Sequence, residues 1–154
     1  MPLYNRIIKT LLKKNISISI AESLTGGLLI KVFTDVPGIS KIFNMGIVAY
    51  SNESKNLFLK VPKTILKHKG AVSQEVSILM SKNLAKISGS DLCISTTGVA
   101  GPTGGSQKKP IGLTYITITI FNKSYTFKKK FKGRRNIIQK DTVKFCMNKL
   151  KKLI

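Results

Sequence analysis

A chain of 154 residues, 42% hydrophobic and 7% aromatic, can bury a substantial core, and its apolar residues are spread along its length, which excludes wholesale disorder. Its 27 Lys and Arg face only 6 Asp and Glu, a formal net charge of +21 whose field attracts polyanions. A single His68 in a Lys-rich stretch and two cysteines, Cys93 and Cys146, in separate apolar segments exclude a histidine triad and a zinc site, and leave two buried, reduced thiols as the expectation.

Leu3, Ile7, Leu11 and Leu12 recur at helical spacing, and Ile16, Ile18 and Ile20 then alternate with serines at the period of a half-buried strand. Thr25-Gly26-Gly27 punctuates that strand, and residues 28–34 read as a helix ending before Asp35-Val36-Pro37-Gly38. A second strand is expected over 46–50, with helices near 52–59 and 62–68. A longer helix starts after Ser73 as N-cap, carries Val76, Leu79, Met80, Leu84 and Ile87 on one stripe, and stops at Gly89.

Residues 91–97 read as a strand, and 98–105, with four glycines and a proline, as a loop. Strands over 112–121 and 124–131 with a short Asn122-Lys123 link predict an antiparallel hairpin. Val143, Cys146, Met147, Leu150 and Ile154 stripe a final helix. The pattern predicts one domain over 1–154: a three-layer α/β/α sandwich around a mixed, mostly parallel sheet of about five strands, closed by a C-terminal hairpin and helix. No run approaches 18 apolar residues and no secretory leader is legible, which predicts a cytoplasmic protein with no membrane partner.

In such folds ligands sit at the carboxyl ends of strands, and two glycine-rich turns meet that condition. Thr25-Gly26-Gly27 frees amides at a helix start for a phosphate or a developing oxyanion, although a plain tight turn accounts for it equally well. The 98–105 loop lacks the Walker and Rossmann spacings. Tyr50 and Lys55 stand five apart, not the four of a short-chain dehydrogenase, and Ser106-Gln107-Lys108-Lys109 matches Ser-x-x-Lys only within a lysine-rich loop. The 24 Lys against 3 Arg fit either a nonspecific nucleic-acid binder or compositional drift of solvated positions; drift is the simpler account, because dedicated phosphate readers use the bidentate fork of Arg.

Taken together, Ala21-Glu22-Ser23-Leu24-Thr25-Gly26-Gly27, Tyr50-Ser51-Asn52-Glu53-Ser54-Lys55, Gly70-Ala71-Val72-Ser73 with Glu75, Thr97 to Gly105, and Lys109-Pro110-Ile111-Gly112 resemble, in order, the C-terminal domain of the CinA (competence-damage-inducible) proteins, the nicotinamide mononucleotide amidohydrolases. The resemblance covers the whole chain and implies the short stand-alone form. It further implies hydrolysis of the nicotinamide mononucleotide carboxamide to nicotinate mononucleotide and ammonia, with no metal or organic cofactor, by a homo-oligomer whose partner is a small nucleotide. Ser23, Tyr50 and Lys55 match the catalytic positions. Glu22, Thr25, Gly26, Gly27, Thr97, Gly98, Gly101, Gly104, Gly105 and Arg135 are the expected substrate-binding positions. Where the family has Gly-Asp-Arg before the last helix this chain reads Gly133-Arg134-Arg135, so the acid is lost and the arginine kept. The alternative is a basic binding protein that keeps the fold without the activity.

Overall fold

A computed structural model describes residues 2–154, with side chains from Tyr4 onward; the side chain of Leu3 lies outside the described residues. Helix α1 (Pro2–Lys13) leads into β1 (Ile18–Glu22), α2 (Leu28–Thr34), a 3-10 turn (Ile39–Lys41) and β2 (Phe43–Val48). Then come α3 (Asn52–Leu59), α4 (Lys63–Lys69), α5 (Gln74–Ser88), β3 (Leu92–Gly98), the hairpin β4 (Leu113–Ile120) and β5 (Lys123–Lys130), and α6 (Arg135–Leu153).

The strands form one sheet in the order β2-β1-β3-β4-β5. β1 pairs in parallel with both β2 and β3, whereas β4 is antiparallel to β3 and β5, so four of the five strands run the same way. A core of Ile8, Leu11, Ile18, Ile20, Leu29, Phe33, Ile94, Ile118, Met147 and Leu150 lies on the α1, α2 and α6 face. A second core of Leu59, Val61, Leu66, Val76, Met80, Leu84 and Cys93 lies under α3, α4 and α5. Each fully buried Leu or Ile contributes roughly 1.5–3 kcal/mol, so both faces of the sheet must be covered, and the three-layer sandwich follows.

β2 begins three residues earlier than the sequence pattern suggests. Its register with β1 runs from Ile18 opposite Phe43 to Glu22 opposite Val48, with one irregularity after Ile18. Gly46 therefore sits inside the strand, where a Cβ would come within 3.0 Å of Ile30 Cδ1. The hairpin turn is Phe121-Asn122, one residue before the expected link; both residues have positive φ (45° and 66°), the twist a two-residue hairpin requires.

Ser73 caps α5 as expected, its hydroxyl accepting from the Val76 amide at 3.3 Å. The helix packs on the sheet partly through hydroxyls: Ser77 Oγ lies 2.8 Å from Thr117 Oγ1, and Ser81 Oγ donates to Thr119 Oγ1 at 2.7 Å, while Ile87 is exposed. Both cysteines are buried and free; burial pushes the Cys93 thiol up to about 11 and that of Cys146 higher still. Among the described residues no helix is long and apolar enough to cross a membrane.

Candidate active site

Three parallel strands end on the same side of the sheet, and their next residues converge there. Ser23 follows β1, Tyr50 follows β2, and Thr97-Gly98 close β3. Together with Leu24, Lys55, Gly101, Gly104 and Arg135 they line a cleft of about 330 Å³. This is the carboxyl-end location expected of an α/β sheet.

Lys55 reaches the cleft because of how α3 starts. Ser51 and Ser54 form a reciprocal cap, Ser51 Oγ accepting from the Ser54 amide at 3.0 Å and Ser54 Oγ from the Ser51 amide at 3.1 Å. Lys55 then stands at the first full turn, and helical side chains lean back toward the N-terminus. Its Nζ donates to the Ala49 carbonyl at 2.7 Å, to Ser23 Oγ at 3.1 Å and to the Tyr50 carbonyl at 3.3 Å. Only 1% of Lys55 is exposed, and among the described residues no carboxylate pairs with it. Burial disfavours the charged amine and pushes its pKa down from 10.5 to about 8.

Tyr50, expected at the end of the second strand, lies two residues beyond β2 and immediately before the Ser51 cap of α3. Its carbonyl binds Lys55, while its exposed phenol accepts from Arg135 Nη2 at the rim. Arg135, the first residue of α6, also donates from Nη1 to the Gly101 carbonyl at 2.9 Å and so ties the 98–105 loop to Tyr50. Gly98 must be glycine: a Cβ there would meet the Leu113 carbonyl at 2.6 Å.

The glycine turn after Ser23 is arranged differently from the sequence expectation. Gly27 (φ 100°) starts α2, and the anion at that helix end is the protein's own Glu22. Its buried carboxylate accepts from the Gly27 amide at 2.9 Å and the Ile30 amide at 2.6 Å, and the Gly26 amide donates to the Ser23 carbonyl. Thr25 is buried with its hydroxyl 2.7 Å from that of Thr96. Thr25, Gly26 and Gly27 border a neighbouring surface depression beside Gln139 and Lys140, and Gly105 packs against Ile111. The structure thus gathers Ser23, Tyr50, Lys55, Thr97, Gly98, Gly101, Gly104 and Arg135 into one cleft, and sets Glu22, Thr25, Gly26, Gly27 and Gly105 outside its lining.

Sequence reading missed two participants. Gln139 Nε2 donates to the Leu24 carbonyl at 2.8 Å, pinning the Ser23 turn from 115 residues away, and the Ala49 main chain holds the amine. Neither a lone Gln on a helix nor a backbone carbonyl carries a sequence signal. Among the described residues the Leu24 amide makes no hydrogen bond, and neither do those of Ala100, Gly101 and Gly104 in the same lining, so the cleft holds unpaired main-chain donors on both the Ser23 turn and the glycine loop.

The family model of the CinA C-terminal domain matches residues 1–154. The chain belongs to the CinA C-terminal domain family. It is 46% identical over 137 residues to the putative competence-damage inducible protein of Thermoanaerobacter pseudethanolicus, covering 89% of this chain and 33% of that protein. It is 43% identical over 148 residues to the one from Caldicellulosiruptor bescii, covering 96% of this chain and 36% of that protein. This CinA-family chain therefore spans about a third of the length of these relatives. Among solved structures, the competence/damage inducible protein CihA of Agrobacterium tumefaciens superposes with a TM-score of 0.94 at 31% identity, covering 99% of this chain and 93% of that one. The competence damage-inducible protein A of Klebsiella pneumoniae gives 0.92 at 26% identity, covering 97% and 92%.

Proposed function

We propose that this chain is an amidohydrolase that converts nicotinamide mononucleotide to nicotinate mononucleotide and ammonia, with Ser23 as nucleophile and Lys55 as its base. The observation that carries the reading is a lysine only 1% exposed whose Nζ lies 3.1 Å from a serine hydroxyl at the carboxyl end of β1. A lysine pushed down to about 8 is neutral in roughly a tenth of molecules at pH 7. In that state two N–H groups serve the Ala49 and Tyr50 carbonyls, and the lone pair accepts the Ser23 proton as the hydroxyl attacks the amide carbon.

The C–O bond forms and the carbonyl electrons move onto oxygen, for which the cleft offers unpaired main-chain amides, that of Leu24 beside Ser23 among them. Collapse breaks the C–N bond, with the proton held on Lys55 passing to the leaving ammonia. Water, deprotonated by the same amine, then attacks the Ser23 ester, Ser23 recovers its proton, and the carboxylate product leaves. Arg135 keeps N–H groups beyond those bound to Tyr50 and Gly101, which suits it to the substrate phosphate.

The test is ammonia release from nicotinamide mononucleotide, with free nicotinamide and an unrelated amide as controls. Folded Ser23→Ala and Lys55→Ala are each expected to lose at least ~10³-fold in kcat; either one working as fast as the parent rejects the reading. Activity of the parent should rise with pH and reach half its plateau near 8, as Lys55 loses its proton. The linked stability effect has the same sign. Between about 8 and 10.5 the unfolded chain holds a proton at this lysine that the folded chain does not, so stability gains with pH across that window and is flat below it. The difference between urea midpoints of the parent and Lys55→Met, followed from pH 7 to 10, measures it.

A further inference from the structure

The glycine loop after β3 is held at few points. Among the described residues, 102–111 make one hydrogen bond to anything outside 98–113, and Lys109 makes it: its Nζ donates to the carbonyl of Lys69, the last residue of α4. Cationic side chains suit the free carbonyls at a helix C-terminus. Within the loop the Ser106 amide donates to the Lys109 carbonyl at 2.9 Å and the Lys109 amide to Ser106 Oγ at 3.0 Å, so fixing Lys109 fixes the 106–109 turn. Residues 102–108 are all exposed, whereas Lys109 is half-buried.

Lys109 reaches its acceptor past Gly70 (φ 77°), where a Cβ would stand 2.5 Å from the amine. The acceptor is itself well secured. Lys69 Nζ pairs with Glu75 at 3.0 Å, Ser73 Oγ donates to the Gly70 carbonyl at 2.9 Å, and Thr97 Oγ1 donates to the Ala71 carbonyl at 2.8 Å, which fixes 69–75 to α5 and to β3. Lys109 therefore spans two walls of the cleft, since Ala71 and Val72 line one and Gly101, Thr103 and Gly104 the other. At the near end of the loop Arg135 holds the Gly101 carbonyl, so two cations suspend the stretch between them. That stretch carries the unpaired Gly104 amide, and the unpaired amides of Ala100 and Gly101 adjoin it.

We propose that Lys109 is a positioning residue of the cleft: its clasp on the end of α4 keeps the glycine loop ordered, so that the loop amides stand ready for the oxygens of a substrate. For its kinetic consequence this rests on the amidohydrolase reading. A loop that is ordered only part of the time weakens apparent affinity by the competent fraction, because binding has to order it. Ser23 and Lys55 are held by β1 and α3, so bound substrate is still hydrolysed at the parent's rate. Loss of the clasp therefore falls on KM and not on kcat.

Lys109→Met keeps an unbranched apolar stem and removes the donor. In this variant the backbone amide order parameters over 103–108, measured by nuclear magnetic resonance, should drop from about 0.85 to about 0.6, with those of β1 and β3 unchanged and circular dichroism like the parent's. KM for nicotinamide mononucleotide should rise about tenfold, with kcat and its pH dependence kept. Lys109→Arg, which restores a cationic donor, should recover most of both. Lys108→Met removes an equal charge from the exposed neighbouring position and should change neither. A parent loop as mobile as that of Lys109→Met, a Lys109→Met loop as ordered as the parent's, an unaltered KM, a loss that falls on kcat instead, or an equal rise in KM from Lys108→Met overturns the proposal. Order parameters need no substrate: a parent that releases no ammonia rejects the amidohydrolase reading, and the clasp is then decided by loop order alone.

Discussion

Two of the helices that begin near Ser23, α2 and α6, are terminated in opposite ways. α2 starts at a left-handed glycine and is closed by the buried carboxylate of Glu22, carried on the strand that also delivers Ser23. α6 starts at Arg134, which makes no side-chain cap, and continues at once with Arg135 on the cleft rim. A helix N-terminus attracts negative charge. In α2 that demand is met from within and fixes the turn that carries Ser23; in α6 no side chain meets it, and two guanidinium groups add positive charge there. The positive charge of the cleft therefore lies on its α6 side, not at the glycine turn, and the proposed function puts the substrate phosphate there.

The comparison can be broken most directly at Glu22. Glu22→Gln replaces an acceptor with a donor facing backbone amides, and should cost about 2–3 kcal/mol in the urea midpoint and lower kcat, because Ser23 is the next residue. A variant as stable as the parent would mean that the carboxylate does not close α2. At the other helix, Arg135→Ala should raise KM for the mononucleotide about tenfold, the worth of one charge-assisted contact, and change kcat far less; an unaltered KM would remove the arginine from phosphate binding. The smallest effect is expected from Arg134→Asp, which supplies the missing acceptor and reverses an unfavourable charge at a helix start. It should stabilise the protein by about 1 kcal/mol in thermal or chemical unfolding. No gain there would mean that the α6 amides are satisfied in another way.

Local signals made much of the fold legible. α2 and α3 fall where periodicity and punctuation put them, and Ser73 caps α5, because caps and glycine stops act over a single turn. The β2 start was misjudged because its extent is set by pairing with β1, and the hairpin turn because its residues include a phenylalanine in a left-handed conformation. Ser77 and Ser81 lie off the apolar stripe expected for α5, and hydrogen-bond partners on β3 and β4 make them core.

For the site, the sequence by itself determined the ingredients: a serine after a strand, a lysine in the first turn of a capped helix, a glycine loop after β3 and an arginine opening the last helix. It also determined the charge, including the run of 18 residues, 42–59, whose one basic residue is Lys55. Tertiary structure decided which groups meet. Lys55 is one of 24 lysines until the sheet buries it against Ser23, and desolvation, which depends on everything packed around the amine, then lowers its pKa. The fate of Glu22 was likewise beyond the sequence, because a carboxylate that caps its own chain and one that awaits a ligand have the same letter and differ only in where the next turn places the amides.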